Sequence, residues 1–332
     1  MKCALFTIRV LSTVVILAPA YVNAVPASFN VQDDISSIAQ SDVDLPRSLV
    51  PSDRTDINQT HINFNDYVNT SLFQKGDGLH NLPPLPSLDR EEAYQEAKKL
   101  VVSLKKAVPN AIIYTPKQNQ EWIRLAKNEM ERSGPPLQRA QILTVIDRNP
   151  KVQALCFVLA FPKGQGEWIA LGGGRVSTGN TGRKLYYITP TGVFINTTER
   201  IGYRALGTKN KNGIRGNGIK GMRVWDFGWQ WAQKGWLPNR EIGQIRLEMH
   251  ATDPDYLEQR LGHPASEGCV RISTAMNRFI DRYGLMDALY NQAAQKDKRF
   301  RAILSKDHQF SPIAGDALVI VDSSLTKDSQ QT

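Results

Sequence analysis

The sequence predicts an α+β fold that is mainly β with helical additions. Three observations support this prediction. From about residue 138 onward, short strand-like segments alternate with turns. Within residues 89–136, two segments carry apolar residues at helical spacing. Residues 25–88 are rich in Ser, Asp, Asn and Pro and lack a sustained helical or strand pattern, which is typical of a flexible tether.

The amino-terminal residues have the pattern of an export signal. Lys2 and Arg9 supply positive charge, residues 10–18 form a short apolar run, and residues 22–24 (Val-Asn-Ala) are small enough for cleavage after Ala24. We therefore predict that residues 1–24 are a signal peptide and that the mature protein is exported to the periplasm or the cell wall. Because the apolar run is shorter than a membrane-spanning helix, no integral membrane span is expected after cleavage.

Two helices are predicted before the strands begin. Asp89 is a suitable N-cap, with a glutamate three residues later. The second helix starts at Thr115 and ends at the Gly and Pro residues that follow Ser133. We expect this helical segment, residues 89–136, to pack on a main domain that spans residues 137–310.

The main domain is predicted to contain several strands and two further helices. The strands are expected at residues 143–147, 152–161, 168–176, 193–196 and 244–250. One helix follows Ser273 and ends at Gly284, and the other covers about residues 287–304. Residues 311–332 are expected to form a C-terminal tail with a possible edge strand at 316–321.

Residues 202–240 are rich in glycine and contain four of the six tryptophans of the chain. These are Trp225, Trp229, Trp231 and Trp236. The segment is interpreted as a long loop, which either lines a substrate cleft or packs on the domain through its own aromatic side chains. Its glycines do not match a phosphate-binding motif.

The net charge of +9 favours an anionic partner surface, such as a cell wall or acidic lipid headgroups. A nucleic acid is not expected as a partner, because the basic residues are scattered and no known reader motif is present. Of the three cysteines, Cys3 lies in the predicted signal. Cys156 lies in an apolar run and is predicted to be a buried structural thiol. Cys269 follows a polar turn and is predicted to be reactive, so a disulfide between the two is not favoured.

A reactive site is predicted where two strand-like segments place polar residues on one face. Strand alternation in residues 244–250 puts Arg246, Glu248 and His250 on the face opposite their apolar neighbours. The same alternation puts Cys269 and Arg271 on one face of the next segment. A neighbouring imidazole and a nearby cation both favour the thiolate form of a cysteine, so this set is typical of nucleophilic catalysis.

The turn before the cysteine adds a second catalytic feature. Ser266, Glu267 and Gly268 form a tight turn that can direct backbone N–H groups toward a developing oxyanion. Gly268 also allows close approach of a substrate, because it has no side chain.

These residues carry a family resemblance. The segment from His250 to residues 266–271 (Ser-Glu-Gly-Cys-Val-Arg) resembles the signature of the YkuD-type L,D-transpeptidases, which is a His followed after a gap by Ser/Thr-His-Gly-Cys, an apolar residue and Arg. Residues 175–179 (Arg-Val-Ser-Thr-Gly) and 189–194 (Thr-Pro-Thr-Gly-Val-Phe) are similar to a second block of that family. The resemblance covers roughly residues 140–285. Glu267 stands where the family usually has a second His.

The resemblance implies a YkuD-like β-sandwich or barrel and a reaction on peptidoglycan stem peptides. It implies Cys269 as nucleophile and His250 as base, with a backbone carbonyl orienting the imidazole. A tetrapeptide stem would lose its terminal D-alanine and be joined to an amine, giving a 3→3 crosslink, and no metal or organic cofactor is required. Ser266, Glu267, Gly268 and Arg271 are the expected substrate-binding or oxyanion-binding residues.

Several alternatives remain open from the sequence. Water as acceptor would make the protein an L,D-carboxypeptidase, and a protein lysine or a free D-amino acid would also serve as acceptor. A non-catalytic module that binds the cell wall is a further alternative. A zinc site formed by His250, His263 and Cys269 lacks the short-spaced ligand pairs of known zinc motifs. Glu267 would either position an acceptor amine or oppose thiolate formation, and Arg271 would either bind a substrate carboxylate or make a structural hydrogen bond.

Overall fold

The computed structural model describes residue 82 and residues 84–325. The predicted signal peptide at 1–24, nearly all of the predicted tether at 25–88 and residues 326–332 lie outside this range. Within the part of the chain that is described, no helix combines the length and the apolar character needed to cross a bilayer.

Two helices precede the sheets, as the sequence predicts. Helix α1 (Arg90–Ala107) begins with a capping box, in which the Asp89 side chain accepts from the backbone of Glu92 and the Glu92 side chain accepts from the backbone of Asp89. Helix α2 (Pro116–Ser133) begins with the same arrangement at Thr115 and ends at Gly134. The buried faces of both helices pack against the first sheet.

Ten strands follow in the described part of the chain, and they form two sheets. The strands are β1 (Gln141–Asp147), β2 (Ala154–Ala160), β3 (Ile169–Arg175), β4 (Tyr187–Ile188), β5 (Gly192–Ile195), β6 (Tyr203–Arg204), β7 (Arg223–Lys234), β8 (Ile242–Ala251), β9 (Val270–Ile272) and β10 (Ala317–Val321). The first sheet has the order β3-β2-β1-β10-β5. The second has the order β4-β7-β8-β9, and β6 also pairs with β7.

The expectation of an edge strand in the C-terminal tail is wrong. Strand β10 lies inside the first sheet, parallel to β1 and antiparallel to β5. All five of its residues are buried. Its sequence, Ala-Leu-Val-Ile-Val, is apolar at every position, which is typical of a strand covered on both faces rather than of an edge. The main domain therefore extends through residue 321, beyond the expected boundary at 310.

The interpretation of residues 202–240 as a long loop is also wrong in part. The segment contains β6 and the twelve-residue strand β7. Strand β7 pairs with β8 through a bulge between Asp226 and Trp229, where Gly228 adopts a positive φ of 75°. The glycines thus mark turns and a bulge around a strand.

The core lies between the two sheets and on both faces of the first one. One apolar cluster joins α1, the inner faces of both sheets and helix α3 (Thr274–Tyr283). A second cluster joins α2 to the other face of the first sheet. This arrangement confirms an α+β fold, in which helices pack on two β-sheets. Within the described residues, neither sheet closes into a barrel.

The helices after β9 agree with the sequence only in part. Helix α3 begins after Ser273 and ends at Gly284, which has a φ of 58°, as predicted. The single helix expected at 287–304 is instead two short helices, α4 (Ala288–Ala293) and α5 (Lys298–Ile303). The side chain of Asp297 accepts from the backbone N–H of Arg299, so it caps a new helix where a continuous one was expected.

Candidate active site

Strands β8 and β9 put the candidate base and the candidate nucleophile on one sheet face, two register positions apart. Their parallel register pairs Met249 with Val270 and His250 with Arg271. Cys269 immediately precedes β9, which puts it level with Glu248 on β8. Buried apolar residues alternate with these polar ones on both strands, so the predicted shared face is present.

His250 is fixed as a neutral base. Its side chain is buried, and Nδ1 lies 2.7 Å from the carbonyl oxygen of Ala251. Because a carbonyl can only accept, Nδ1 carries the proton and Nε2 keeps a free lone pair. Burial, followed by the positive charge of Arg271, lowers the pKa of His250 to about 4, against the opposing effect of the Ala251 carbonyl. The imidazole is therefore uncharged at neutral pH and able to accept a proton.

Cys269 rests as a neutral thiol. Its Sγ donates to the carbonyl oxygen of Arg246 at 3.6 Å. Desolvation of the sulfur and then the nearby carboxylate of Glu248 raise the pKa of Cys269 to about 12, although the backbone N–H of Glu248 and the charge of Arg271 oppose the increase. The thiol and the imidazole are thus both uncharged at rest, which suits a mechanism in which the base takes the thiol proton during attack.

Side-chain hydrogen bonds hold the turn before Cys269. The buried Ser266 donates through Oγ to the carbonyl oxygen of Cys269 at 2.5 Å and accepts from the backbone N–H of Gly268 at 3.2 Å. Thr189 Oγ donates to the carbonyl oxygen of Gly268 at 2.7 Å. Ser266 therefore positions the backbone of the nucleophile. The Gly268 N–H, an expected oxyanion donor, is occupied by Ser266 in this structure.

Gly268 is required at its position for steric reasons. Its φ is +139°, a conformation that side chains rarely permit. A Cβ added there would lie 2.8 Å from Cδ1 of Ile245. The residue therefore allows Cys269 to sit close against strand β8.

Glu267 and Arg271 have different surroundings. Glu267 is exposed, and its carbonyl oxygen accepts from the backbone N–H of Tyr187 at 3.1 Å. The guanidinium of Arg271 donates to the carbonyl oxygen of Ala265 at 3.1 Å, which is the structural hydrogen bond considered from the sequence. Its buried Nε has no partner among the described residues. The backbone of Arg271 also exchanges two hydrogen bonds with Ser177, which joins β9 to the chain that leaves β3.

Sequence reasoning assigned no role to Glu248 or Tyr203, yet both lie beside the thiol. The hydroxyl of Tyr203 donates to Oε2 of Glu248 at 3.3 Å. Burial and then the charge of Asp226 raise the pKa of Glu248 to about 7. Strand alternation does place Glu248 on the face of His250. Its position level with Cys269 depends on the pairing of β8 with β9, which no local pattern specifies.

The four tryptophans of residues 202–240 divide into two groups. Trp225 is fully buried, and Trp236 packs edge-on against Tyr187 with ring centroids 5.0 Å apart. Trp229 and Trp231 are both 62% exposed on β7. Trp229 pairs with Arg246, the residue whose carbonyl holds the thiol. Trp229 therefore lies near the candidate nucleophile, Trp231 pairs with Gln244 farther along β8, and both rings are exposed to a ligand.

The other candidate groups stand apart from this site. Cys156 is fully buried in β2 and unpaired, as predicted, and Cys269 is also a free cysteine. His263 is exposed. In the part of the chain that the structure describes, no cluster of three or more His, Cys, Asp or Glu side chains is arranged to hold a metal ion.

No family model matches the sequence, and no curated protein matches it significantly. The likeness to the YkuD-type family therefore rests on the motif residues alone.

Proposed function

We propose that this protein is a peptidoglycan L,D-transpeptidase with a cysteine nucleophile and a YkuD-type catalytic domain. The observation that carries the proposal is the hydrogen bond from His250 Nδ1 to the Ala251 carbonyl oxygen at 2.7 Å. It leaves Nε2 as a base on the sheet face that also holds Cys269. The substrate class is inferred from the resemblance of residues 266–271 to the motif of the YkuD-type family.

The first half of the reaction forms a thioester. Sγ of Cys269 attacks the carbonyl carbon of the third stem residue, the diamino acid, and its proton passes to Nε2 of His250. The C–N bond to the terminal D-alanine then breaks, and His250 returns the proton to the leaving amine. Because the resting thiol donates to Arg246, attack requires the sulfur to turn along β8 toward His250.

The second half transfers the acyl group. The side-chain amine of a second stem attacks the thioester carbon, a C–N bond forms and the C–S bond breaks. The departing sulfur recovers a proton through His250. The product is a 3→3 crosslink, and the cycle consumes no cofactor.

Two other functions compete with this proposal. An L,D-carboxypeptidase would use the same thioester with water as acceptor. A wall-binding module without catalysis would use the basic surface together with Trp229 and Trp231, which are exposed. An oriented imidazole on the same sheet face as a thiol favours catalysis, because binding alone requires neither group.

Export is part of the proposal, since stem peptides lie outside the cytoplasm. The sequence predicts cleavage after Ala24, and N-terminal sequencing of protein recovered from the periplasm or medium tests it. A mature chain that begins at Met1 would contradict the signal assignment.

Purified tetrapeptide muropeptides, analysed by mass spectrometry, test the function directly. Wild type should release D-alanine and form crosslinked dimers, whereas Cys269→Ala should do neither. His250→Ala should lose roughly 10²–10⁴-fold in rate, because a positioned acid–base group contributes about that much. Cys156→Ala is the matched control, since it removes the other free thiol. D-alanine release by Cys269→Ala would overturn the nucleophile assignment.

Acylation of the thiol gives an independent readout. By resemblance, a carbapenem should add its mass to wild type and to Cys156→Ala but not to Cys269→Ala. If wild type neither binds the drug nor changes any muropeptide, the wall-binding function replaces the catalytic one.

A further inference from the structure

We propose that Glu248 binds the acceptor amine as its ammonium ion and removes one of its protons, so that this carboxylate selects an amine over water as the acceptor. The inference deepens the function proposed above and rests on it. It transfers to Glu248 a role that the sequence suggested for Glu267, whose side chain is exposed.

The geometry places the carboxylate beside the nucleophile. Glu248 precedes the β8–β9 pair Met249–Val270 by one residue, as Cys269 does on the other strand. The sulfur donates to the carbonyl oxygen of Arg246, two residues away on the same side of β8. His250 lies two residues in the other direction. The side chain of Glu248 therefore lies between the resting thiol and its base.

The charged and titratable groups around Glu248 come from three strands and the thiol. Asp226 on β7 is ion-paired with Arg246 on β8 at 2.5 Å. The hydroxyl of Tyr203 on β6 donates to Oε2 of Glu248 at 3.3 Å and accepts from the side-chain amide of Asn217 at 2.9 Å. Cys269 faces Glu248 from the other side. Arg246 is hydrogen-bonded to Asp226 and acts on Glu248 through its charge, so the carboxylate of Glu248 can still bind an incoming cation directly.

Proton balance explains why the site needs this second base. An ammonium ion loses two protons when it becomes an amide nitrogen. One returns to the departing sulfur through His250, and the other requires a separate acceptor. The raised pKa of Glu248, about 7, suits a group that takes a proton near neutral pH and releases it to solvent. Water loses a single proton when it hydrolyses the thioester, so His250 alone is sufficient for hydrolysis.

The test compares acceptors in the full-length Glu248→Gln variant. Muropeptide donors are supplied with either an acceptor stem, whose amine is protonated at neutral pH, or hydroxylamine, which is uncharged there and loses one proton. Transfer and hydrolysis products are counted by mass spectrometry, and carbapenem acylation reports on the first half-reaction. Glu241→Gln is the matched control, because Glu241 precedes β8 and pairs with Lys234, far from the thiol.

We expect the ratio of transfer to hydrolysis with the acceptor stem to fall by roughly 10²-fold in Glu248→Gln. Acylation, hydrolysis and transfer to hydroxylamine should persist, which also shows that the variant is folded. Tyr203→Phe removes the hydroxyl that donates to Glu248, and it should lower the ratio of transfer to hydrolysis by a smaller factor. Glu241→Gln should match wild type.

Two results would overturn the inference while leaving the transpeptidase assignment intact. One is an unchanged ratio in Glu248→Gln. The other is an equal loss with the stem and with hydroxylamine, which would indicate a structural role. A loss confined to Glu267→Gln would assign the role to the other carboxylate. Failure of the wild type to form any thioester would instead refute the proposed function itself.

Discussion

Removing one partner of the buried ion pair between Arg223 on β7 and Asp287 should strongly destabilise the protein. Both side chains are fully buried, and Nη2 of Arg223 lies 3.2 Å from Oδ1 of Asp287. The same carboxylate oxygen accepts from Nε1 of Trp225 at 3.2 Å and from Nδ2 of Asn196 at 3.1 Å. Asp287→Ala would leave the guanidinium uncompensated and remove an acceptor from two further donors.

The expected cost follows from that burial. Removing one partner of a buried ion pair typically destabilises a protein by about 3–5 kcal/mol. For a domain of this size, each kcal/mol lowers the melting temperature by roughly 2–4 °C, so a decrease of about 6–20 °C is expected. Thermal and urea unfolding, followed by circular dichroism at neutral pH, measure it. Asp287→Asn should lie between wild type and Asp287→Ala, because it keeps the oxygen and loses the charge.

A surface pair provides the matched control. Asp255 lies 3.0 Å from Arg215, and its side chain is 60% exposed. Asp255→Ala should change the free energy of unfolding by less than about 1 kcal/mol. Combining Arg223→Met with Asp287→Ala should recover part of the loss, since no unpaired buried charge then remains. A cost of Asp287→Ala no larger than that of Asp255→Ala would contradict a stabilising role for the buried carboxylate.

Three further predictions concern single residues. Cys156→Ala should lower the free energy of unfolding by about 1 kcal/mol or somewhat more, because it removes a fully buried sulfur. The variant should still form the thioester. A folded but inactive variant would instead indicate that Cys156 and Cys269 act together. Because the pKa of His250 is lowered in the folded protein, the unfolded chain binds more protons between about pH 4 and 6.5. The contribution of His250 to the free energy of unfolding therefore falls as the pH decreases, and the loss is about 2 kcal/mol at pH 5. Glu248 and Asp316 have raised pKa values, so their contributions to the free energy of unfolding rise as the pH decreases. The effect of His250 is therefore isolated by comparing wild type with His250→Gln in urea titrations at pH 7 and pH 5. An equal pH dependence of the two proteins would contradict the lowered pKa of His250. Gly268→Ala should cost about 1–3 kcal/mol because of its positive φ and should lower D-alanine release, and a fully active, equally stable variant would exclude a steric requirement there.

Local features of the fold were predictable where the chemistry is local. The caps of α1 and α2 lie within four residues of the helices they begin, so Asp89 and Thr115 identify both helices from sequence alone. Alternation likewise predicts which face of β8 carries His250. In these cases the relevant contacts join residues that are near in sequence.

Long-range pairing was not predictable in the same way. Tyr203 and Glu248 are hydrogen-bonded although 45 positions separate them in sequence, and no local pattern at either position predicts the contact. The position of β10 was missed for a similar reason, since a short apolar run indicates a strand without specifying its neighbours. The glycines of residues 202–240 predict a loop, but the segment contains strand β7, whose alternation is interrupted by a bulge between Asp226 and Trp229.

The central position of β10 makes folding of the first sheet depend on the last described strand. Strands β1 and β10 are paired although most of the domain separates them in sequence, and β5 is the other neighbour of β10 in that sheet. Such distant parallel pairing forms slowly, because loop closure precedes the contacts that stabilise it. A chain that stops before Ala317 would leave β1 with an unpaired backbone edge and β5 without its sheet partner, and exposed edges recruit other chains into aggregates. We therefore expect chains that include β10 to fold and chains that end before it to aggregate.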